Sequence, residues 1–431
     1  MSYLIQRVRS LFRSTRPVPG DLRRQLFHLN MDIACFGILS GTTIAFQGVY
    51  AARQGASPAQ IGLLSAIPAL VSLMFSLPIG SWLGKRPIGK AVFWSSVLQR
   101  MFYPVFVFLP MLLAPDAQVW VIIFLSFIMT IPGTGLTVGF NTLFADIVPL
   151  EFRGDVIGTR MAILAVVTTA FSFISGQILE HVSFPLGYQV VFTLGVVGAV
   201  LSSLHLFLLM KIHVHPIEPL IEVREERRET LRLRQEIQAL YRQRIQNFRF
   251  DVMGGDFAKI MALLFFWHFA QFLVIPTVTP YTVNILKMSD QTIGAATGIF
   301  NLTTFLGSLF LGSISMRLGN KKVTGIGIMG LSSFPFLLSL AHGPILYITA
   351  HLVGGLAWAM GGGALLNYIL ENVPADDRPP YLAWYSLISN AAILAGSLIG
   401  PAFAAQIGFT TALALYASLR FVAGAAILKW G

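Results

Sequence analysis

The sequence predicts an all-α membrane protein of twelve transmembrane helices in two pseudo-symmetric six-helix bundles, and three observations predict it. Only 11% of the 431 residues are charged while 55% are hydrophobic; an ordinary soluble domain carries roughly 25% charged residues, so a water-facing surface cannot be built here. Apolar runs of about twenty residues, the length that crosses a bilayer, recur twelve times along the chain. The basic residues gather on alternate connections between those runs.

In chain order, a basic segment over 1–28 precedes six runs near 30–51, 61–83, 91–113, 118–143, 157–181 and 188–211. A hydrophilic stretch over 212–256 follows, then six more runs near 257–283, 293–316, 323–342, 344–370, 382–405 and 409–428. This predicts bundles over 29–211 and 257–431 joined by a linker. The linker places Leu233, Ile237, Leu240, Tyr241, Ile245 and Phe248 on one helical face, as an amphipathic helix on a membrane surface would; a solvated tether is the plainer alternative. The first segment (Arg7, Arg9, Arg13, Arg16 with Leu4, Ile5, Val8, Leu11 and Phe12) suits anionic lipid and has no cleavable signal-peptide core.

With the N-terminus cytoplasmic, 26 of the 30 Lys and Arg residues sort to one side, counting Arg153 and Arg160 after the fourth run. Arg53 and Lys287 fall on the other side, and Arg100 and Arg420 lie within runs. The positive-inside rule then predicts a cytoplasmic-membrane protein with both termini inside. The net charge of +11 reads as a topology signal rather than a nucleic-acid surface. Cys35 is the only cysteine, so no internal disulfide forms. No nucleophile or metal-ligand constellation stands out, and neither enzyme activity nor a cofactor or metal is expected. Gly84-Lys85-Arg86-Pro87-Ile88-Gly89-Lys90 has phosphate-loop spacing but is followed by Ala91, where that loop needs Ser or Thr for Mg²⁺.

The halves echo each other. Asp146-Ile-Val-Pro149-Leu-Glu151-Phe-Arg153 after the fourth run returns 225 residues later as Glu371-Asn-Val-Pro374-Ala-Asp376-Asp-Arg378. Gly80 with Lys85, Arg86 and Lys90 after the second run is answered by Gly312, Arg317, Gly319, Lys321 and Lys322 after the eighth. On these segments the chain resembles the major facilitator superfamily from about residue 28 onward, with Gly84 and Met316 where that family's loop motif carries Asp.

The resemblance implies a substrate cavity lined mainly by helices one, four, seven and ten, with duplicated halves around the site. Carried onto this chain it nominates Gln47, Asn141, His268, Gln271, Asn301, Trp358, Asn367 and Asn390 as cavity candidates. A structural helix-to-helix hydrogen bond is the competing role for each amide. Asp32, Glu180 and His268 are the candidates for proton coupling, which requires a group that burial can tune; an interfacial helix start is the competing role for Asp32. The resemblance also implies a cytoplasmic gate of Gly80, Lys85, Arg86, Asp146, Arg153, Gly312, Arg317, Gly319, Glu371 and Arg378, with Asp146 against Lys85 or Arg86 and Glu371 against Arg317. Arg100 and Arg420, costly within hydrocarbon, have structural or snorkelling roles as alternatives to substrate contact. Ser172-x-x-x-Gly176-Gln177 departs from the family's antiporter motif in helix five, and the full Gly396-x-x-x-Gly400-Pro401 form stands in helix eleven.

The resulting expectation is a monomeric secondary transporter in the bilayer, moving a small, uncharged or amphiphilic solute, with a proton as the candidate coupling ion and export preferred. An uptake symporter for a sugar or carboxylate is the alternative within the class. A transporter-shaped assembly factor or carrier that no longer transports is the alternative outside it.

Overall fold

The computed structural model describes residues 20–83, 86–212, 249–374 and 377–431. The N-terminal arginines before residue 20, Lys85 and the linker face from Leu233 to Phe248 lie outside the described residues. Among the described residues twelve helices are long and apolar enough to cross a membrane. They are α1 (Leu22–Arg53), α2 (Pro58–Leu83), α3 (Ile88–Leu112), α4 (Pro115–Ile147), α5 (Leu150–His181) and α6 (Leu186–Ile212) in the first half. The second half holds α7 (Gly255–Ile285), α8 (Asp290–Leu318), α9 (Asn320–Ser339), α10 (Pro344–Glu371), α11 (Arg378–Ile407) and α12 (Phe409–Trp430). Helices win because hydrocarbon offers backbone N–H and C=O groups no outside partner.

Departures from regular helix occur in both halves. A π-helical turn interrupts α1 midway, at Ser40–Ile44, and another ends α7, at Tyr281–Ile285. Helix α3 breaks between Arg100 and Tyr103, and α9 between Leu331 and Ser333. Each break precedes a proline, Pro104 or Pro335, which has no N–H for the carbonyl four residues back. In the second half the freed carbonyl is Leu331, and Arg420 donates to it from α12 at 3.3 Å while its other terminal nitrogen donates to the Gln271 carbonyl at 3.0 Å. Arg420 is thus a buried structural cation spent on main-chain carbonyls.

Packing repeats too. In the first half α1 packs on α5 and α6, and α4 on α2 and α3; in the second, α7 packs on α11 and α12, and α10 on α8 and α9. Small residues allow these approaches: a Cβ on Gly198 of α6 would lie 2.8 Å from the Cys35 carbonyl, and one on Gly327 of α9 would lie 2.1 Å from the Gly361 nitrogen.

The halves meet along α5 with α8 and α2 with α11, and the glycines of three of these helices tell how. At the end remote from the termini, a Cβ on Gly62 would fall 2.5 Å from the Ser397 carbonyl oxygen. Likewise, one on Gly176 would fall 3.0 Å from the Asp290 oxygen, and one on Gly294 would fall 2.5 Å from the Ser172 oxygen. At the other end of the same helices, about 27–33 Å away by helical rise, a Cβ on Gly80, Gly154 or Gly312 would meet no described atom within 4 Å. The helices of the two halves are pinched together at one end and parted at the end that carries the termini.

Candidate functional site

Asp32, ten residues into α1, is the one carboxylate buried among the described residues. It accepts a hydrogen bond from Ser202 of α6 at 2.5 Å and pairs with Arg160 of α5 at 3.4 Å. Arg160 also donates to the Leu29 carbonyl, and its guanidinium stands 4.7 Å from the Phe140 ring centre of α4. Both charged side chains are only 6–7% exposed. Arg160 therefore does not belong to the loop after α4, where charge sorting puts it. It sits inside α5, because an arginine so deep in an apolar helix is retained where a neighbour supplies a carboxylate and a carbonyl.

Beside this pair, Arg100 donates from one terminal nitrogen to Ser96 at 2.7 Å and to Ser203 of α6 at 3.0 Å. Asp32, Arg100 and Arg160 open together onto a cavity of about 390 Å³ whose rim carries Thr137 and Asn141. One turn nearer the termini, the Nδ1 atoms of His28 and His205 face each other at 3.0 Å, so one ring donates and the other accepts. His205 of α6 thus contacts α1 through His28.

The other candidates are dispersed. His268 of α7 holds the Leu264 carbonyl through Nδ1 at 2.8 Å, and its Nε2 lies 3.5 Å from the Tyr385 hydroxyl. Gln271 is buried with its Oε1 unpartnered. Asn301 and Asn390 each turn back onto their own helix, to the Thr297 and Ser386 carbonyls. Trp358 is half-buried beside Gly362, Asn367 is exposed near the termini end of α10, and Gln47 is half-buried in α1. Glu180 is exposed at the pinched end, as is His181, which bonds the Gln177 carbonyl.

At the pinched end Arg53 reaches across the halves, to Asp290 at 3.1 Å and to the Met288 carbonyl at 2.6 Å. One turn away Tyr50 donates to Gln118 of α4, and Gln54 bonds both. Thr169 of α5 adds a bond to the Gly298 carbonyl of α8 at 3.2 Å. Ser172 and Gly176 therefore serve the seam between halves, whereas Gly396 and Gly400 pack on α7 within their own half.

At the termini end Lys85, one of the two implied partners of Asp146, lies outside the described residues. Arg86 stands over the Trp82 ring, Glu371 accepts from Asn320 at 2.7 Å rather than from Arg317, and exposed Asp146 forms no ion pair among the described residues. Arg153 donates to the Val148 and Ala145 carbonyls, closing the last turn of α4. Gly319 has φ of +81°, which suits the tight turn between α8 and α9; Gly80 and Gly312 border open space, and Arg317 and Arg378 are exposed. Before α7, Arg249 bonds Asp251 and Asp377, and its carbonyl accepts from Trp384. That guanidinium holds the Asp251 carboxyl below its ordinary value.

The family model described as Major Facilitator Superfamily matches residues 33–267 and 260–430. Among curated relatives, the quinolone resistance protein NorA of Staphylococcus aureus (strain Mu50 / ATCC 700699) is 25% identical over 30% of this chain and 33% of its own. Multidrug resistance protein 2 of Bacillus subtilis (strain 168) is 27% identical over 35% and 38%. The match thus spans little more than a third of either relative. Solved structures agree on the fold. A D-xylose-proton symporter superposes with TM-score 0.68 at 16% identity, covering 95% of this chain and 97% of its own. The nucleoside transporter NupG superposes with TM-score 0.63 at 15% identity, covering 94% and 98%. Twelve membrane helices in two repeated halves, with a family match from residue 33 to residue 430, make this chain a member of the major facilitator superfamily of transporters.

Proposed function

We propose that the chain exports a small amphiphilic solute across the cytoplasmic membrane by alternating access, in exchange for protons taken up through Asp32. The observation that carries this reading is the arrangement of the halves, pinched at Gly62, Gly176 and Gly294 and parted at Gly80, Gly154 and Gly312. Rocking about a central site exchanges such a state for its mirror, open at the other end. The basic residues make the parted end cytoplasmic, so the state is inward-open. One chain supplies both halves, and a monomer suffices.

Asp32 supplies the coupling. Its carboxylate neutralises Arg160 in the present state. A proton on Asp32 leaves that guanidinium uncompensated in a site poor in water, which biases the equilibrium toward a state with different packing around α1 and α5. The drug-resistance relatives support export, and the aromatic and aliphatic lining of the cavity suits an amphiphile.

Purified protein in proteoliposomes, challenged with a panel of amphiphilic dyes and metabolites under an imposed pH gradient, tests the reading. Gradient-driven movement of at least one solute is expected. Asp32→Asn is expected to lose the gradient-driven component while retaining exchange of labelled for unlabelled solute. Absence of gradient-dependent flux across the panel sinks transport in favour of a carrier or assembly role. Solute and protons moving together would replace export by symport.

A further inference from the structure

The charge inside the first half does not balance. Arg100 and Arg160 are arginines, protonated under any condition a protein survives, and both border the same cavity as Asp32. Asp32 is the one carboxylate buried among the described residues, and Arg160 holds it directly. Among the described residues no other acidic side chain lines the cavity. His28 and His205, a turn away, carry zero or positive charge. The cavity therefore holds two cations against one anion.

Arg100 is the unmatched cation. It is 7% exposed, its hydrogen bonds among the described residues go to the Ser96 and Ser203 hydroxyls, and its Nε has no partner there. Arg420 in the second half also leaves Nε unpartnered, but both of its terminal nitrogens are occupied by carbonyls. Arg100 faces the cavity instead. Around it the wall is apolar: Phe36, Phe140, Phe144 and Met161 flank the charged floor, and Asn141 sits at the exposed rim.

We propose that this cavity is the solute's head-group subsite, and that the solute is an amphiphilic organic monoanion. Its carboxylate neutralises Arg100 while its apolar body lies against Phe36, Phe140 and Phe144. One negative charge brings the site to neutrality; a cationic solute would face two guanidiniums. This rests on the transport reading above, and it revises the sequence expectation of an uncharged or amphiphilic solute, because Arg160 is part of the cavity wall.

The test uses three ligands that share one ring system and differ in charge: naphthoate, naphthylmethanol and naphthylmethylamine, titrated into the purified full chain. Naphthoate is expected to bind at least about tenfold more tightly than either isostere. Arg100→Gln is expected to weaken naphthoate about tenfold or more and leave the alcohol unchanged, and Arg100→Lys to restore part of the loss. Should Arg100→Gln not fold, Asn141→Asp at the exposed rim is expected to weaken naphthoate and strengthen the amine. Equal binding of all three ligands overturns the assignment, and so does undiminished naphthoate binding by Arg100→Gln or Asn141→Asp. Flux separates the two claims: naphthoate that binds but is not moved by any gradient refutes transport alone, and movement of the amine without naphthoate binding refutes the subsite alone.

Discussion

Gly294→Ala adds a methyl group where α8 crosses α5 with no room for it. The new Cβ would stand 2.5 Å from the Ser172 carbonyl oxygen and 3.0 Å from the Gly176 Cα, whereas ordinary contact begins at 3.4 Å. The helices must separate by about 0.9 Å, and neither obstacle is a flexible side chain that can swing away. Overpacking of this kind costs about 1–3 kcal/mol, and the cost falls only on the state in which this end is pinched. The ratio of pinched to released molecules should therefore drop about 5- to 150-fold. Spin labels on cysteines at positions 154 and 312, in a Cys35→Ser background, read the opposite end, where the glycines border open space. Their separation should shift toward a shorter population in Gly294→Ala. An unchanged distribution, or a longer one, would mean that the two ends do not rock about a common pivot.

Arg53→Gln removes a part-exposed latch on the same seam; about 1 kcal/mol or less is at stake given its exposure, and alkylation of a cysteine placed nearby should quicken in the variant and, in the parent, at high salt. Arg420→Gln frees the Leu331 and Gln271 carbonyls and should lower the melting temperature, by a loss of about 2–4 kcal/mol, without altering solute affinity. Asp251, held below its ordinary value by Arg249, contributes a tether that is fully present above pH 3.8 and lost only as pH falls further. Hydrogen exchange around residue 252 should stay slow through mild acid and rise below that range, and Arg249→Gln should remove the dependence.

The helices were legible because hydrocarbon length and charge placement are local properties of the sequence. The breaks in α3 and α9 were not, since Pro104 and Pro335 sit within continuous apolar runs and cost no hydropathy. Arg160 escaped for a related reason: seven residues past Arg153, it reads as the tail of a basic loop, yet helix α5 begins at Leu150 and carries it inside. The readable signal was a pair of opposite charges, Asp32 and Arg160, each about ten residues in from the same membrane face. With the termini end parted, gate pairs that would close it stand apart, and Glu371 accepts from Asn320 instead. His268, singled out beside Trp267, is in place near Tyr385 but engages its own helix first.

The buried arginines also bear on how the chain is made. A guanidinium at mid-membrane costs about 2.5–3.5 kcal/mol on insertion scales, and helices leave the ribosome in order. When α12 emerges, Gln271 and Leu331 are already in the bilayer to receive Arg420; when α5 emerges, Asp32 is already there for Arg160. Of Arg100's hydrogen-bond partners only Ser96, on its own helix, is in place when α3 emerges, and Ser203 is synthesised roughly a hundred residues later. Helix α3 is therefore the one whose insertion must wait for the rest of its half, and a chain truncated before α6 should retain α3 poorly in the membrane.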